Sequence, residues 1–166
     1  MTSYRIVALT EAQANLILYW NSLVDTADAP CPRRSAINPW HLGPALSEVS
    51  LLEVAEDGSA RFRLAGTSVT ELTGQSLKHV AVDALEGPFA GLWRLGVSDA
   101  VATLAPVHGR VEAAINGRDL AWLRLPLLDA EGRPRFVLCH DCWANSAQIL
   151  HPEVVFIHGQ NPSIAA

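Results

Sequence analysis

Cys139-His140-Asp141-Cys142 sets four chemistry-bearing side chains side by side. A Cys-x-x-Cys pair holds zinc when two further ligands complete a tetrahedron. No second such pair occurs, and His151 and His158 stand seven residues apart, which is not a usual ligand spacing. The segment also reads as a strand, where positions three apart face opposite ways. That geometry opposes chelation and a local disulfide alike. A thioredoxin-like role requires the pair to open a helix after a strand, and this one does not. No metal is therefore expected, and the two cysteines read as half-buried strand residues. His140 beside Asp141 has the composition of a base with its orienting carboxylate, but strand neighbours point apart. No Gly-x-Ser-x-Gly elbow, His-Glu-x-x-His or Gly-rich phosphate loop is present, and Ser35, Ser68 and Ser76 lack a nucleophile's context.

Two arginines and three tryptophans remain. Arg63 and Arg124 are charges inside otherwise apolar runs. Such residues either lie on a solvated or helix-covered face with their stems packed, or grip a ligand carboxylate or phosphate in a two-pronged bond. Trp20 and Trp93 fall on apolar helix faces, and Trp122 shares a strand face with Leu120 and Arg124. A buried indole carries one donor that needs a partner. Trp93 therefore fits either the core or a pocket wall.

The elements that position these residues follow from composition and periodicity. Hydrophobic residues are 49% and charged residues 17% of the 166-residue chain, which argues for an ordered core. The net charge is −5, and lysines and arginines divide evenly between the two halves, so binding to nucleic acid is not expected. The apolar stretch Val97–Val107 contains Asp99 and a proline and is too short for a membrane span. Met1–Leu9 does not read as a signal peptide. Three cysteines, an odd number, suit a reducing cytoplasm.

Thr10 with Gln13 forms a capping box for a helix to about Asp25, with Leu16, Ile17, Trp20, Leu23 and Val24 on one stripe. Residues 26–35, with two prolines, read as a crossing segment. Asn38-Pro39 starts a short helical turn ending near Gly43-Pro44. Val49–Ala55 and Ala60–Thr67 flank Asp57-Gly58 as a hairpin, with Phe62 and Leu64 on one face and Arg61 and Arg63 on the other. Val69–Leu72 and Leu77–Val82 read as short helices. Pro88 opens a long helix over 88–104 whose face is Phe89, Leu92, Trp93, Gly96, Val97, Ala100, Val101 and Leu104. Val107–Ile115 and Leu120–Leu128 flank Asn116-Gly117, and Arg135–Trp143 follows the turn at 130–133. The strands are joined by hairpins, so the sheet is antiparallel, with helices on one face.

This order, with Leu18-Tyr19-Trp20, Pro32-Arg33-Arg34-Ser35, Asn38-Pro39, Leu51-Leu52-Glu53-Val54, Phe62–Thr67, Glu71–Gly74 and Arg124-Leu125-Pro126-Leu127, resembles the PAS domain family, in particular small stand-alone bacterial members. The resemblance covers roughly residues 14–143. It implies an α+β, PAS-like five-stranded antiparallel sheet. Short helices and one long connector helix lie on one face, and an N-terminal amphipathic helix is added. The division expected is 1–35 for the N-terminal helix and crossing, 36–145 for the PAS-like unit, and 146–166 for a C-terminal extension.

The resemblance further implies a sensory or protein-interaction module that signals to a separate partner protein. Flavin-type members carry a reactive cysteine after the second strand, and 68–82 has none. Haem-type members carry a histidine on or beside the long helix. Residues 86–104 have none, although His79 and His108 flank them. No cofactor is expected. The expected pocket takes a small apolar or amphipathic ligand and is lined by Phe62, Leu64, Trp93, Val97, Trp122 and Arg124. A homodimer is expected through Leu16, Trp20, Leu23 and Val24. No catalytic residue is assigned. The alternatives are a small enzyme on a cone-shaped α+β fold and a purely structural dimerisation domain.

Overall fold

The computed structural model describes residues 2–5, 9–115, 117–144, 149–150 and 154–157. Strand β1 (Thr2–Arg5) pairs antiparallel with β9 (Val154–Ile157), and β2 (Leu9–Thr10) with β8 (Ile149–Leu150). His151, His158 and Asn116 lie outside the described residues. Helix α1 (Glu11–Thr26) starts where the capping box puts it. The Gln13 amide donates to the Thr10 hydroxyl at 3.2 Å, and the Thr10 amide donates to the Gln13 side chain at 3.3 Å. A 3-10 segment over Pro39–Glu48, kinked at Gly43, is capped by the Asn38 side chain, which accepts the Trp40 amide proton.

The central sheet comprises β3 (Val49–Val54), β4 (Ala60–Ala65), β5 (Val107–Ile115), β6 (Arg118–Leu128) and β7 (Pro134–Ala144) in the order β4-β3-β7-β6-β5, antiparallel throughout. All three expected hairpins form. In the turn between β6 and β7, the Asp129 carboxylate accepts the Glu131 and Arg133 amides and the Arg133 guanidinium. The fold class expected from the sequence is the one observed.

Both faces of the sheet are covered. On one, α1 lays Leu16, Ile17 and Trp20 over Val49, Leu51, Leu123, Leu125, Leu127, Phe136 and Leu138. Two side chains of α1 are also hydrogen-bonded to β6, Gln13 to the Ala121 carbonyl at 3.0 Å and Trp20 Nε1 to the Pro126 carbonyl at 2.9 Å. Of the stripe Leu16, Trp20, Leu23 and Val24 expected at a homodimer seam, Leu16 and Trp20 are buried against the chain's own sheet, Val24 packs against the same cluster, and Leu23 is half-buried. On the other face, helices α2 (Thr67–Thr73) and α3 (Val97–Thr103) and single 3-10 turns pack Val69, Val82, Leu85, Trp93 and Val97 on Leu52, Val54, Phe62, Val137 and Cys139.

Three expectations are corrected. The helix expected over 88–104 is broken into 3-10 turns at Gly87–Phe89 and Leu92–Arg94 followed by α3, with Gly91 at φ +79° and Gly96 at φ +70° between the pieces. Left-handed residues end a right-handed helix. Leu77–Val82 is not a helix either. His79 donates its amide to the Phe62 carbonyl and Val80 accepts the Phe62 amide, so this stretch runs beside β4 and covers that sheet edge. Finally, Phe62 and Leu64 do not share a face. The register steps from Leu52↔Phe62 to Leu51↔Leu64, so Arg63 is an extra residue in a β-bulge. Leu64 is turned to the α1 side of the sheet and is 49% exposed.

The connector sits hard against the sheet at Gly96. A Cβ added there falls 2.3 Å from the Trp122 ring, whereas one added at Gly91 meets nothing within 4 Å. Gly96→Ala is expected to cost about 2–4 kcal/mol in denaturant unfolding, from left-handed strain plus overlap. Gly91→Ala carries the strain alone and should cost about 1–2 kcal/mol. Equal losses at the two positions would contradict the close approach.

Candidate functional site

Arg124 and Asp141 reach the helix-covered face from adjacent strands of one hairpin. Arg124 is opposite Cys139, which places Asp141 at the diagonal position on the same face. The two side chains form a two-pronged ion pair, Nη2 to Oδ1 at 3.0 Å and Nη1 to Oδ2 at 3.2 Å, with 0% and 3% of their side chains exposed. The remaining guanidinium protons go to backbone carbonyls: Nε to Leu95 at 2.9 Å, Nη2 to Leu92 at 3.2 Å, and Nη1 to Leu123 at 2.9 Å. Burial, the largest influence, works against the charge. The coulombic pull of Asp141 and its hydrogen bonds outweigh it, and the arginine holds its proton more tightly than usual. All the donors of the fork are engaged within the chain. Arg124 is therefore the clamp that ties the connector to β6 and β7.

The other residues expected to line a pocket occupy that face as packing. Phe62, Trp93 and Val97 are buried in one cluster, with the Phe62 and Trp93 rings edge-to-face at 5.9 Å. Trp122 is half-buried between Gly96 and Gly109, with the Arg124 guanidinium 5.4 Å from its ring centre. Leu64 is on the opposite face. Arg63 pairs with Glu53 at 3.4 Å on an exposed part of the sheet. A flavin or haem ring does not fit where Phe62, Trp93 and Val97 are already packed.

Beside this packed face lies a cleft of about 40 Å³, bounded by Glu48, Ser68, Val69, Leu72, Trp93, Asp141 and Trp143. By volume it admits about three water molecules. Of its walls, only Trp93 was among the residues expected to bind a ligand. Glu48 comes from the end of the 3-10 segment, the next three residues from α2, and Asp141 and Trp143 from the end of β7. These elements are far apart in the chain and meet only through the sheet order. Trp93 is 1% exposed, and its Nε1–H has no hydrogen-bond partner among the described residues. An unmet buried donor costs about 1–3 kcal/mol. Glu48 Oε2 lies 2.9 Å from His140 Nε2, which belongs to the other face of β7.

His140 and Asp141 therefore engage different partners and form no dyad. Cys139 and Cys142 likewise point to opposite faces. Burial pushes the Cys31 and Cys139 thiols up to about 12 and Cys142 to about 11, the reverse of an activated thiolate. Among the described residues, no three His, Cys, Asp or Glu side chains are grouped to hold a metal. No described helix is long and apolar enough to cross a membrane.

A family model for the PAS domain matches residues 9–122, so α1 falls within the matched unit. No curated protein matches the sequence. Among solved structures, the chain is similar to the light state of the blue-light photoreceptor Aureochrome1 LOV, with 14% identity, a TM-score of 0.43, and coverage of 62% of this chain and 85% of that one. It is similar in the same degree to a Light-Oxygen-Voltage domain studied with a flavin analogue, with 16% identity, a TM-score of 0.43, and coverage of 64% and 83%. The photo-excited blue-light photoreceptor Vivid gives 14% identity, a TM-score of 0.43, and coverage of 76% and 93%.

Two outcomes follow from the buried groups. Arg124→Met or Asp141→Leu alone strands a buried charge and should cost about 3–5 kcal/mol in denaturant unfolding. The double variant should be more stable than either single one, because no charge is left unpaired. Additive losses would contradict the pairing. The thiols set a pH dependence as well. The ordinary cysteine value is 9.0, and folded Cys31 and Cys139 lie near 12. With the folded pKa above the unfolded one, their stabilisation is complete below pH 9 and is lost between pH 9 and 12. Replacing both residues by alanine should flatten the fall in stability across that window.

Proposed function

The chain belongs to the PAS domain family, and from that premise we propose that it is a sensory module that takes a small ligand and signals, without chemistry of its own, to a separate partner protein. Such a module needs an element with two arrangements whose balance a ligand or partner can tilt. In this reading the connector, residues 91–96, is that element. It carries one 3-10 turn, Leu92–Arg94, rather than a continuous helix, bounded by two left-handed glycines. The observation that carries the reading is the Arg124 clamp. One fully buried side chain holds the Leu92 and Leu95 carbonyls and is itself held by Asp141. Loss of the Asp141 contact would leave the connector without its anchor, and the anchored form presents a different surface from the released one.

The polar groups near the cleft support a sensor more than an enzyme. Arg124 is paired with Asp141 and Glu48 with His140, so neither pair is a free acid and base facing one reacting atom.

The test is Arg124→Lys, which keeps the charge but cannot hold a carboxylate and two carbonyls at once. Amide hydrogen exchange over residues 91–104 should speed up at least tenfold, with the central part of β3, β6 and β7 still protected. In affinity capture with the full chain, a partner should be bound by only one of the wild-type and Arg124→Lys forms. Unchanged exchange in the connector, or the same set of bound proteins for both forms, would overturn the reading.

A further inference from the structure

The sheet face that α1 covers is left open at one corner, and cations gather there. Phe136, Glu53 and Arg61 are direct neighbours across that face, on β7, β3 and β4. The Arg34 guanidinium lies 5.0 Å from the Phe136 ring centre, and Arg63 pairs with Glu53. Lys78 is exposed at the β4 edge, one residue before His79, whose amide is bonded to the Phe62 carbonyl. Among the described residues, Arg34, Arg61 and Lys78 have no carboxylate partner. Glu53 is held by Arg63, Glu56 in the adjoining turn is answered by Arg135, and Asp57 is turned to Ser59. The corner is positive in a chain whose net charge is −5.

Exposed leucines stand in the same place. Leu64, opposite Leu51 on this face, is 49% exposed, and Leu46, near the end of the 3-10 segment, is 44% exposed. The two stretches run close together: a Cβ built at Gly66, two residues past Leu64, falls 2.6 Å from the Leu46 carbonyl oxygen. Charges on a sheet edge keep the strands of other molecules away. That purpose accounts for Arg61 and Arg63 but not for leucines beside them, which invite the contact that the charges would prevent. A nucleic acid calls for a row of cations along its phosphates, and a lipid surface for a cluster of about four to eight. Here the unpaired cations are spread around an ion pair and two leucines. Carboxylates on an apolar carrier suit that spread, because a guanidinium fork grips a carboxylate in a two-pronged bond. Stacking on Phe136 leaves the N–H edge of Arg34 open for this. Phe136 and Arg61 are two strand spacings apart, about 10 Å, close to two turns of an α-helix.

We propose that this corner is a docking surface for an acidic amphipathic helix of a separate protein. Carboxylates two turns apart meet Arg34 and Arg61, and an apolar side chain lies against Leu64 and Leu46. The surface goes beyond the sensory reading and does not depend on it, since Arg124 and the connector are on the other side of the sheet.

Three alanine-based helical peptides of about sixteen residues test both halves of the argument. The first carries glutamates two turns apart with leucines between them on one face. The second has glutamines for the glutamates, and the third has serines for the leucines. The readout is the backbone proton–nitrogen correlation spectrum of the full chain. The glutamate–leucine peptide should shift the amide signals of Leu46 and residues 61–65 saturably, with at least tenfold higher affinity than either of the others. Arg34→Glu, Arg61→Glu and Leu64→Ser, all at exposed positions, should each weaken it at least tenfold. Arg118→Glu, which removes an unpaired cation at the start of β6, should leave it unchanged. The comparison of peptides on the wild-type chain decides the matter even where a variant fails to fold. Equal affinity for the glutamate and glutamine peptides, an equal loss in Arg118→Glu, or no saturable response would each overturn the assignment. So would tighter binding to vesicles containing phosphatidylserine, which would give the surface to a membrane. A full-length dimer in light scattering that Leu64→Ser dissociates would give it to a second copy and overturn it as well.

Discussion

A guanidinium in the interior of a 166-residue chain must be neutralised and fully hydrogen-bonded, and the demand of Arg124 for partners organises everything on its face of the sheet. Desolvating both ions is expensive, and an apolar pair of the same volume serves stability as well or better. What the ion pair adds is direction. A leucine at position 124 would tolerate many placements of the chain above it. A planar fork with protons at fixed angles accepts few. The Leu92 and Leu95 carbonyls must both face inward. That requirement twists the chain on either side, and the left-handed residues needed there are glycines. The indole of Trp122 fills the space beneath, against Gly96 and Gly109.

The opposite face obeys a simpler rule. Strand β6 alternates its burden so that Leu123, Leu125 and Leu127 go to α1 while Arg124 goes to the connector. Both faces are covered, so the strand reads as an almost unbroken apolar run. Helix α1 provides half of that cover. It is fixed by more than grease, because the Trp20 indole and the Gln13 amide donate to the Pro126 and Ala121 carbonyls of β6, and the indole is thereby a satisfied buried donor. The N-terminal helix is part of the folding unit, in keeping with the family match from residue 9. Among the described residues, the large apolar side chains that remain well exposed, Leu18, Trp40, Leu46 and Leu64, are different from the stripe the sequence pointed to.

Local signals were legible where local chemistry decides the structure. Asp57-Gly58 joins β3 to β4, β5 pairs with β6 where that hairpin was expected, and Thr10 with Gln13 starts α1, because each depends on residues within a few positions. The connector failed for the opposite reason. Phe89, Leu92, Trp93, Gly96 and Val97 do lie at helical spacing, but two carbonyls of that stretch go to an arginine some thirty residues away instead of serving a helix. The bulge at Arg63 was equally hidden, since an extra residue in a strand leaves no trace in composition. The Arg124–Asp141 pair was within reach. Once the turn at Asp129–Arg133 sets the register of the hairpin, Arg124 and Asp141 become diagonal neighbours on one face. The sequence reading took the two residues separately, one as a ligand anchor and the other as part of a cysteine motif.

The cleft could not be read in this way, because its walls meet only through topology. β7 lies in the middle of the sheet, beside β3, so its C-terminal end is brought next to Glu48, which immediately precedes β3. α2 follows β4 and returns over the same end. Position then gives Asp141 two roles. It belongs to the cleft wall, and it is the counter-ion for a charge that has no access to water. A change in the polarity or hydrogen bonding of the cleft changes how well Asp141 can neutralise Arg124. Two of the arginine's other contacts are the connector carbonyls of Leu92 and Leu95, so in the proposed reading that change is felt as a change in the hold on residues 92–95. The coupling needs no chain of intermediates: one carboxylate separates the cleft from the guanidinium, and one guanidinium separates the carboxylate from the connector.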